Sequence, residues 1–213
     1  MSVEHLPPAP GSSDADVDNT DHPMRRMTER VAFGGAWDAE AFGEVESLFD
    51  DLSGEWETTR DNPSRVDGID HAVERAGVDL SGRVVELGAG TGFGARRLSS
   101  LGATPIATDL SGGMLREAAA AGVERLARAD AAHLPFPDAS VDVLVCMNMM
   151  LFPAEVDRVL APTGALVWVN SRGEGTPIHL TAEQLDDALP GEWSVTASRV
   201  NVGTWAVARR AAR

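Results

Sequence analysis

The stretch VVELGAGTGFGARRL sets four glycines, Gly88, Gly90, Gly92 and Gly94, at alternate positions directly after an apolar run. Glycine weakens the interior of a strand or helix, and it is kept for places where the chain turns sharply or approaches something closely. A turn of this kind, opening into a helix, aims main-chain N–H groups and a positive dipole end at one point, where a carboxylate or phosphate is bound. Three acids stand beside such turns: Glu86 inside the first apolar run, Asp109 at the end of TPIATD, and Asp130 at the end of ERLARAD. A carboxylate accepts two hydroxyl or amino donors at once. Taken alone, each Asp also reads as a helix N-cap. Together they mark a site for a ligand rich in donors.

The elements that must hold these residues follow from periodicity. DAEAFGEVESLFDDL and SRVDGIDHAVERAG carry apolar residues at helical spacing, the second stopping on Gly77. From Arg83 onward short apolar runs alternate with helical stretches. RVVEL, TPIATD, ERLARAD, VDVLVCMN and GALVWVN read as strands, and GARRLSSLG, SGGMLREAAAAG, PAEVDRVLAP and TAEQLDDAL as helices. GEWSVTASRV and GTWAVARR, joined by NVG, form a hairpin. Repeated β-α units imply a buried parallel sheet, and a closing hairpin brings the last strand in antiparallel. In such sheets the ligand lies beyond the carboxyl ends of the strands, where the strand order reverses.

Composition narrows the function. The chain of 213 residues suits one sizeable core. It has formal net charge −15 and no Lys/Arg stripe, so nucleic acid is a poor partner. All 18 basic residues are Arg, which excludes a Schiff-base or P-loop lysine. No apolar run approaches the roughly 20 residues that span a bilayer. MSVEHLPPAPGSSDADVDNTD has neither the basic flank nor the apolar centre of a signal peptide, and a cytoplasmic location is expected. The single cysteine, Cys146, excludes an internal disulfide and a Cys-rich metal site, and it reads as a small buried hydrophobe. No metal is expected. Residues 1–23, with five acids and few apolar groups, read as a disordered acidic leader, 24–80 as a helical lid and 81–213 as the core.

Two cofactor readings compete for the turn. Gly90, Gly92 and Ala95 satisfy the dinucleotide pattern, with Asp109 about 20 residues on. That register starts too far from the strand, leaves Glu86 unexplained, and meets a chain with no tyrosine for a Tyr-Lys pair. VVELGAGTG, ATDLSGGML and ARADAAHLPFPDASVDVLVCMN instead resemble the class I S-adenosylmethionine-dependent methyltransferases, in the branch of small ubiquinone-biosynthesis-like enzymes. The resemblance runs from about Val84 to the C-terminus. It implies a Rossmann-like three-layer α/β/α sandwich, its seven-stranded, mostly parallel sheet ending in an antiparallel strand under an N-terminal helical lid. It implies S-adenosyl-L-methionine as cofactor, with Gly88, Ala89, Gly90 and Gly92 at the methionine portion and Glu86 near its amino group. Asp109 would take the ribose hydroxyls, and Leu110 would pack beside the adenine. Asp130 would accept from the adenine amino group, with Ala131 and Met147 also at the cofactor.

Methyl transfer from a sulfonium needs alignment more than acid–base help, and a general base only for a protonated acceptor. Asn148, just past the fourth strand, and His179, after the fifth, are the candidate catalytic side chains, and Asn148 reads equally as a helix or turn cap. His133 and His71 read as surface and structural residues. Asn148 is not followed by the Pro-Pro-aromatic sequence of amide or adenine nitrogen methyltransferases. Trp56 reads either as an apolar wall or as core packing, and Arg60 either as a charge for the cofactor carboxylate or an acidic substrate or as a solvated surface group. The expected acceptor is a small molecule held between lid and strand ends by a monomer or homodimer. A nicotinamide oxidoreductase and a non-catalytic S-adenosylmethionine binder are the alternatives.

Overall fold

A computed structural model describes residues 3–14, 17, 19, 21–56 and 62–211. Eight strands form one sheet: β1 (Val3–His5), β2 (Val84–Leu87), β3 (Ile106–Asp109), β4 (Leu126–Arg128), β5 (Val141–Met147), β6 (Leu160–Asn170), β7 (Trp193–Val200) and β8 (Gly203–Arg210). Seven α-helices are described: α1 (Pro23–Gly34), α2 (Ala39–Leu52), α3 (Asp67–Arg75), α4 (Phe93–Ser100), α5 (Gly112–Ala120), α6 (Pro153–Val159) and α7 (Ala182–Ala188). The sheet order is β1-β7-β8-β6-β5-β2-β3-β4. Only β8 runs antiparallel to its neighbours, as a closing hairpin requires.

The two faces of the sheet are read directly from alternation along the strands. Val143, Val145, Val167 and Val169 bury on one face with Ile69 of α3 and Leu98 of α4. Leu144, Cys146, Leu166 and Trp168 bury on the other with Val156 and Val159 of α6 and Leu185 of α7. Val31 of α1 and Val45 of α2 join that second layer, so the N-terminal helices rest on the same side. Each apolar strand residue therefore meets a helix, which is how a parallel sheet satisfies both faces.

The order reverses between β2 and β5: β3 and β4 continue to one side of β2, and β6 to the other side of β5. The crevice at that point is where an α/β sheet takes its ligand.

Two expectations need correction. The sheet has eight strands, not seven, and the additional one comes from the leader expected to be disordered. Val3–His5 pair in parallel with Val195–Ala197 of β7. The chain then follows the same edge, with Leu6 N–H on Ala197 O at 2.8 Å, Ala9 N–H on Arg199 O at 2.9 Å and Ser13 N–H on Asn201 O at 2.9 Å. Few apolar groups are buried there; main-chain hydrogen bonds do the holding, and prolines are tolerated on an edge. The second correction is at PAEVDRVLAP: the helix stops at Val159 and β6 begins at Leu160, paired with Val141. Pro162 disfavours helical geometry just before it.

Candidate active site

β2 is buried along its whole length and delivers the chain into the glycine turn. Gly88, Gly90 and Gly92 all adopt positive φ. At Gly90, φ is 54° and a Cβ would meet nothing within 4 Å. The turn thus combines a left-handed backbone with open space beside it, a cradle into which a ligand can approach the main chain.

The carboxylate of Asp109, at the end of β3, holds this turn. Gly90 N–H donates to Asp109 Oδ2 at 2.7 Å, and Ser111 N–H donates to Oδ1 at 2.9 Å. One main-chain bond on each oxygen leaves each with acceptor capacity for a vicinal diol. Asp109 is 9% exposed, and burial pushes its carboxyl above the ordinary range while the Ser111, Gly90 and Leu110 N–H groups pull it back.

Asp130 follows β4. Its Oδ1 accepts from Ala132 N–H at 2.8 Å, and Trp37 Nε1 donates to both oxygens, at 3.1 and 3.2 Å. Trp37 lies in the linker between α1 and α2 and packs edge-on against Phe152, with centroids 5.2 Å apart. The segment after Asp130 is clamped by Arg158 of α6, which donates to Leu134 O, Phe136 O and Asp138.

α2 docks through Asp50 near its end. Its Oδ1 accepts from Ser111 Oγ and, at 2.9 Å, from Gly113 N–H in the first turn of α5. These hydrogen bonds hold the Asp50 carboxyl below its ordinary pKa, Ser111 contributing most. A carboxylate at a helix N-terminus is favourably placed.

Together these elements enclose a cavity of about 760 Å³. Its walls include Gly88, Ala89, Gly90, Asp109, Leu110, Asp130, Ala131, Met147 and Asn148. Val45, Leu48, Phe49 and Leu52 of α2 form an apolar roof with Trp56, whose ring meets Phe49 edge-on at 5.7 Å. Trp56 is therefore a wall of the cavity as expected. Arg60 lies outside the described residues.

Three candidates are not among the lining residues. Gly92 caps α4 from below the cavity, beside Val123 and Ala118. Glu86 shares the strand face of Val84 and turns towards α4, where the absence of a side chain at Gly94 leaves room for its carboxyl. It is 1% exposed, its Oε2 has no hydrogen-bond partner among the described residues, and burial lifts its pKa to about 8 despite the Ala95 N–H. Glu86 is thus a buried support under the turn. His179 is 2% exposed behind the wall, its Nδ1 unpartnered among the described residues; burial, then the charges of Arg25 and Arg199, lower its pKa to about 4. Asn148 does line the cavity, at φ 53°, and is engaged with the end of β6: its Oδ1 accepts from Ser171 N–H at 2.8 Å and its Nδ2 donates to Ser171 Oγ at 2.9 Å. His133 is on the surface, and His71 accepts from Trp205 Nε1 at 2.7 Å, both as expected. Cys146 is buried, which raises its thiol pKa.

Sequence reasoning missed Trp37, Asp50, His22 and Arg172. Trp37, His22 and Arg172 line the cavity, and Asp50 fastens its roof. DAEAFGEVESLFDDL already marked the helix carrying Asp50, yet nothing local connects it with Ser111.

Residues 85–168 match the family described as "Methyltransferase domain", so over that stretch the chain is similar to methyltransferases. Among particular proteins, it is 34% identical over 141 residues to a demethylmenaquinone methyltransferase of Clavibacter sepedonicus, covering 59% of this chain and 57% of that one. It is 28% identical over 152 residues to the biotin biosynthesis bifunctional protein BioHC of Cellvibrio japonicus (strain Ueda107), covering 67% of this chain and 28% of that one. The chain thus spans only part of the length of these curated relatives. The DhpI–SAH complex structure shares the fold, with TM-score 0.64 and 20% identity over 81% of this chain and 98% of that one. Among the described residues no helix is long and apolar enough to cross a membrane.

Proposed function

We propose that this chain transfers the methyl group of S-adenosyl-L-methionine to a small molecule bound between the lid and the strand ends. The observation that carries the reading is the pairing of Asp109 with the open cradle at Gly90, two strand ends from Asp130, around one cavity. The residues present fit the cofactor. Asp109 retains acceptor capacity on both oxygens for the ribose hydroxyls, and Asp130 supplies an acceptor for the adenine amino group. Leu110, Ala131 and Met147 line the same cavity and would give the cofactor apolar contact, and the main chain from Gly88 to Gly90 would hold its methionine portion. The demethylmenaquinone methyltransferase relative supports a small-molecule acceptor.

When bound, the cofactor supplies an electrophilic methyl group on a sulfonium. This chain's own residues orient and enclose the reactants. The α2 roof and Trp56 keep water from the reacting atoms, while Asn148, held at the β5 end by Ser171, fixes the floor where acceptor and methyl meet. Holding the reactants in line provides most of the acceleration such a displacement requires. His179 lies behind the wall and takes no proton from the acceptor in this scheme. Asn148 and the acceptor are proposed to be in contact. Titration calorimetry with S-adenosylhomocysteine tests the reading: micromolar binding is expected, and no heat at millimolar ligand would remove it.

A further inference from the structure

The cavity has two chemically opposite halves. At the ends of β2, β3 and β4 lie Asp109 and Asp130, which are the only carboxylates lining it among the described residues. At the ends of β5 and β6, and on the facing start of α1, the lining polar groups are set as donors. His22 caps α1 with Nδ1, which accepts from Met24 N–H at 3.1 Å, so the neutral ring carries its proton on Nε2. Ser171 Oγ accepts from Asn148 Nδ2, and Thr176 Oγ1 accepts from Arg172 N–H at 3.1 Å, so both hydroxyls keep a proton to give. Arg172 lines the same region, and its guanidinium has no hydrogen-bond or ion-pair partner among the described residues.

The two walls of this half are fastened to each other. Arg25 of α1 donates to Glu174 O and Thr176 O at 2.7 and 2.8 Å, and Asn19 Nδ2 donates to Gly175 O at 2.7 Å. His22 is therefore held beside the loop that carries Arg172 and Thr176. In a chain of formal net charge −15, a lining with an unengaged guanidinium and no carboxylate is built against the prevailing sign.

We infer that the methyl acceptor is an anion, a small carboxylate or phosphonate, whose charged group is held by Arg172 and the Nε2–H of His22. This rests on the methyltransferase reading, because it assigns the Asp109–Asp130 half to the cofactor. Charge-assisted, two-pronged donation by a guanidinium fits either oxyanion.

The test uses the full chain saturated with S-adenosylhomocysteine, titrated with benzoate, phenylphosphonate and the neutral benzamide. Benzoate or phenylphosphonate should bind at least tenfold more tightly than benzamide, and whichever of the two is preferred identifies the group. Arg172→Gln should reduce anion affinity at least tenfold, Arg172→Lys should restore part of it, and His22→Asn, which keeps the helix cap, should cost severalfold. Affinity for S-adenosylhomocysteine should be unchanged in Arg172→Gln. Equal binding of benzamide and benzoate, or anion affinity indifferent to Arg172, would overturn the inference while leaving the proposed function standing. Weakened S-adenosylhomocysteine binding in Arg172→Gln would overturn it too, by giving Arg172 to the cofactor carboxylate. Failure of wild type to bind S-adenosylhomocysteine would remove the proposed function and the inference with it.

Discussion

Trp37 Nε1 bridges both carboxylate oxygens of Asp130, a residue 93 positions later in the chain. The linker between α1 and α2 is thereby pinned to the acid proposed to receive the adenine, and a hydrogen bond to a charged acceptor contributes about 1.5–3 kcal/mol. Ligand entering beside Asp130 must alter the surroundings of this indole. Binding of S-adenosylhomocysteine should change tryptophan emission, and Trp37→Phe should abolish most of that change while the calorimetric signal persists. Emission that responds equally in the variant would place the ligand away from Trp37.

Asp109 joins the glycine turn to the end of β3 and is proposed to hold the ribose. Asp109→Ala removes its acceptors, so affinity for S-adenosylhomocysteine should fall by about 1–3 kcal/mol, measured by calorimetry. The Gly90 and Ser111 N–H groups lose their partner as well, and a lower melting temperature should accompany the loss. An unchanged affinity would refute the ribose assignment.

Glu86 gives a pH signature. Below about 4.5 its carboxyl is protonated in the folded and unfolded chain alike. Between 4.5 and about 8 the unfolded chain releases the proton and the folded chain retains it, so this group's contribution to stability falls as pH rises. Above 8 both states are ionised and the slope vanishes. Glu86→Gln keeps the shape without the titration. Its stability relative to wild type, from urea unfolding, should improve between pH 5 and pH 8.5 by a few kcal/mol on an order-of-magnitude basis. Parallel pH curves for the two proteins would show that Glu86 is ionised in the folded chain.

Asp50 fastens α2 to α5 through Ser111 and Gly113. Asp50→Ala should loosen the roof without unfolding the sheet. Hydrogen exchange should quicken in α2 and stay slow in β5, and affinity for S-adenosylhomocysteine should drop severalfold. Unaltered exchange in α2 would mean that its apolar face alone holds it down.

The parts of this molecule legible in the sequence are those written within one β-α unit. The turn from Gly88 to Gly92, Asp109 at one strand end and Asp130 at the next are local signatures, and each stands where alternation and turn chemistry place it. What was illegible depends on partners distant in the chain. Periodicity predicted α2 but not that Asp50 would cap a helix 63 residues away at Gly113. Alternation puts Glu86 and Val84 on one strand face; that this face meets α4, not the cavity, follows only from the assembled layers. The leader was misjudged because composition measures apolar burial, whereas residues 3–14 are held by their main chain.

That strand has a consequence for how the chain coexists with copies of itself. Were the polypeptide to start at Met24, the outward N–H and C=O groups of Val195, Ala197 and Arg199 would form an open template, onto which a second molecule could add a strand. Residues 3–14 therefore act as a built-in stopper against self-association, and the shortened polypeptide would be the one to precipitate.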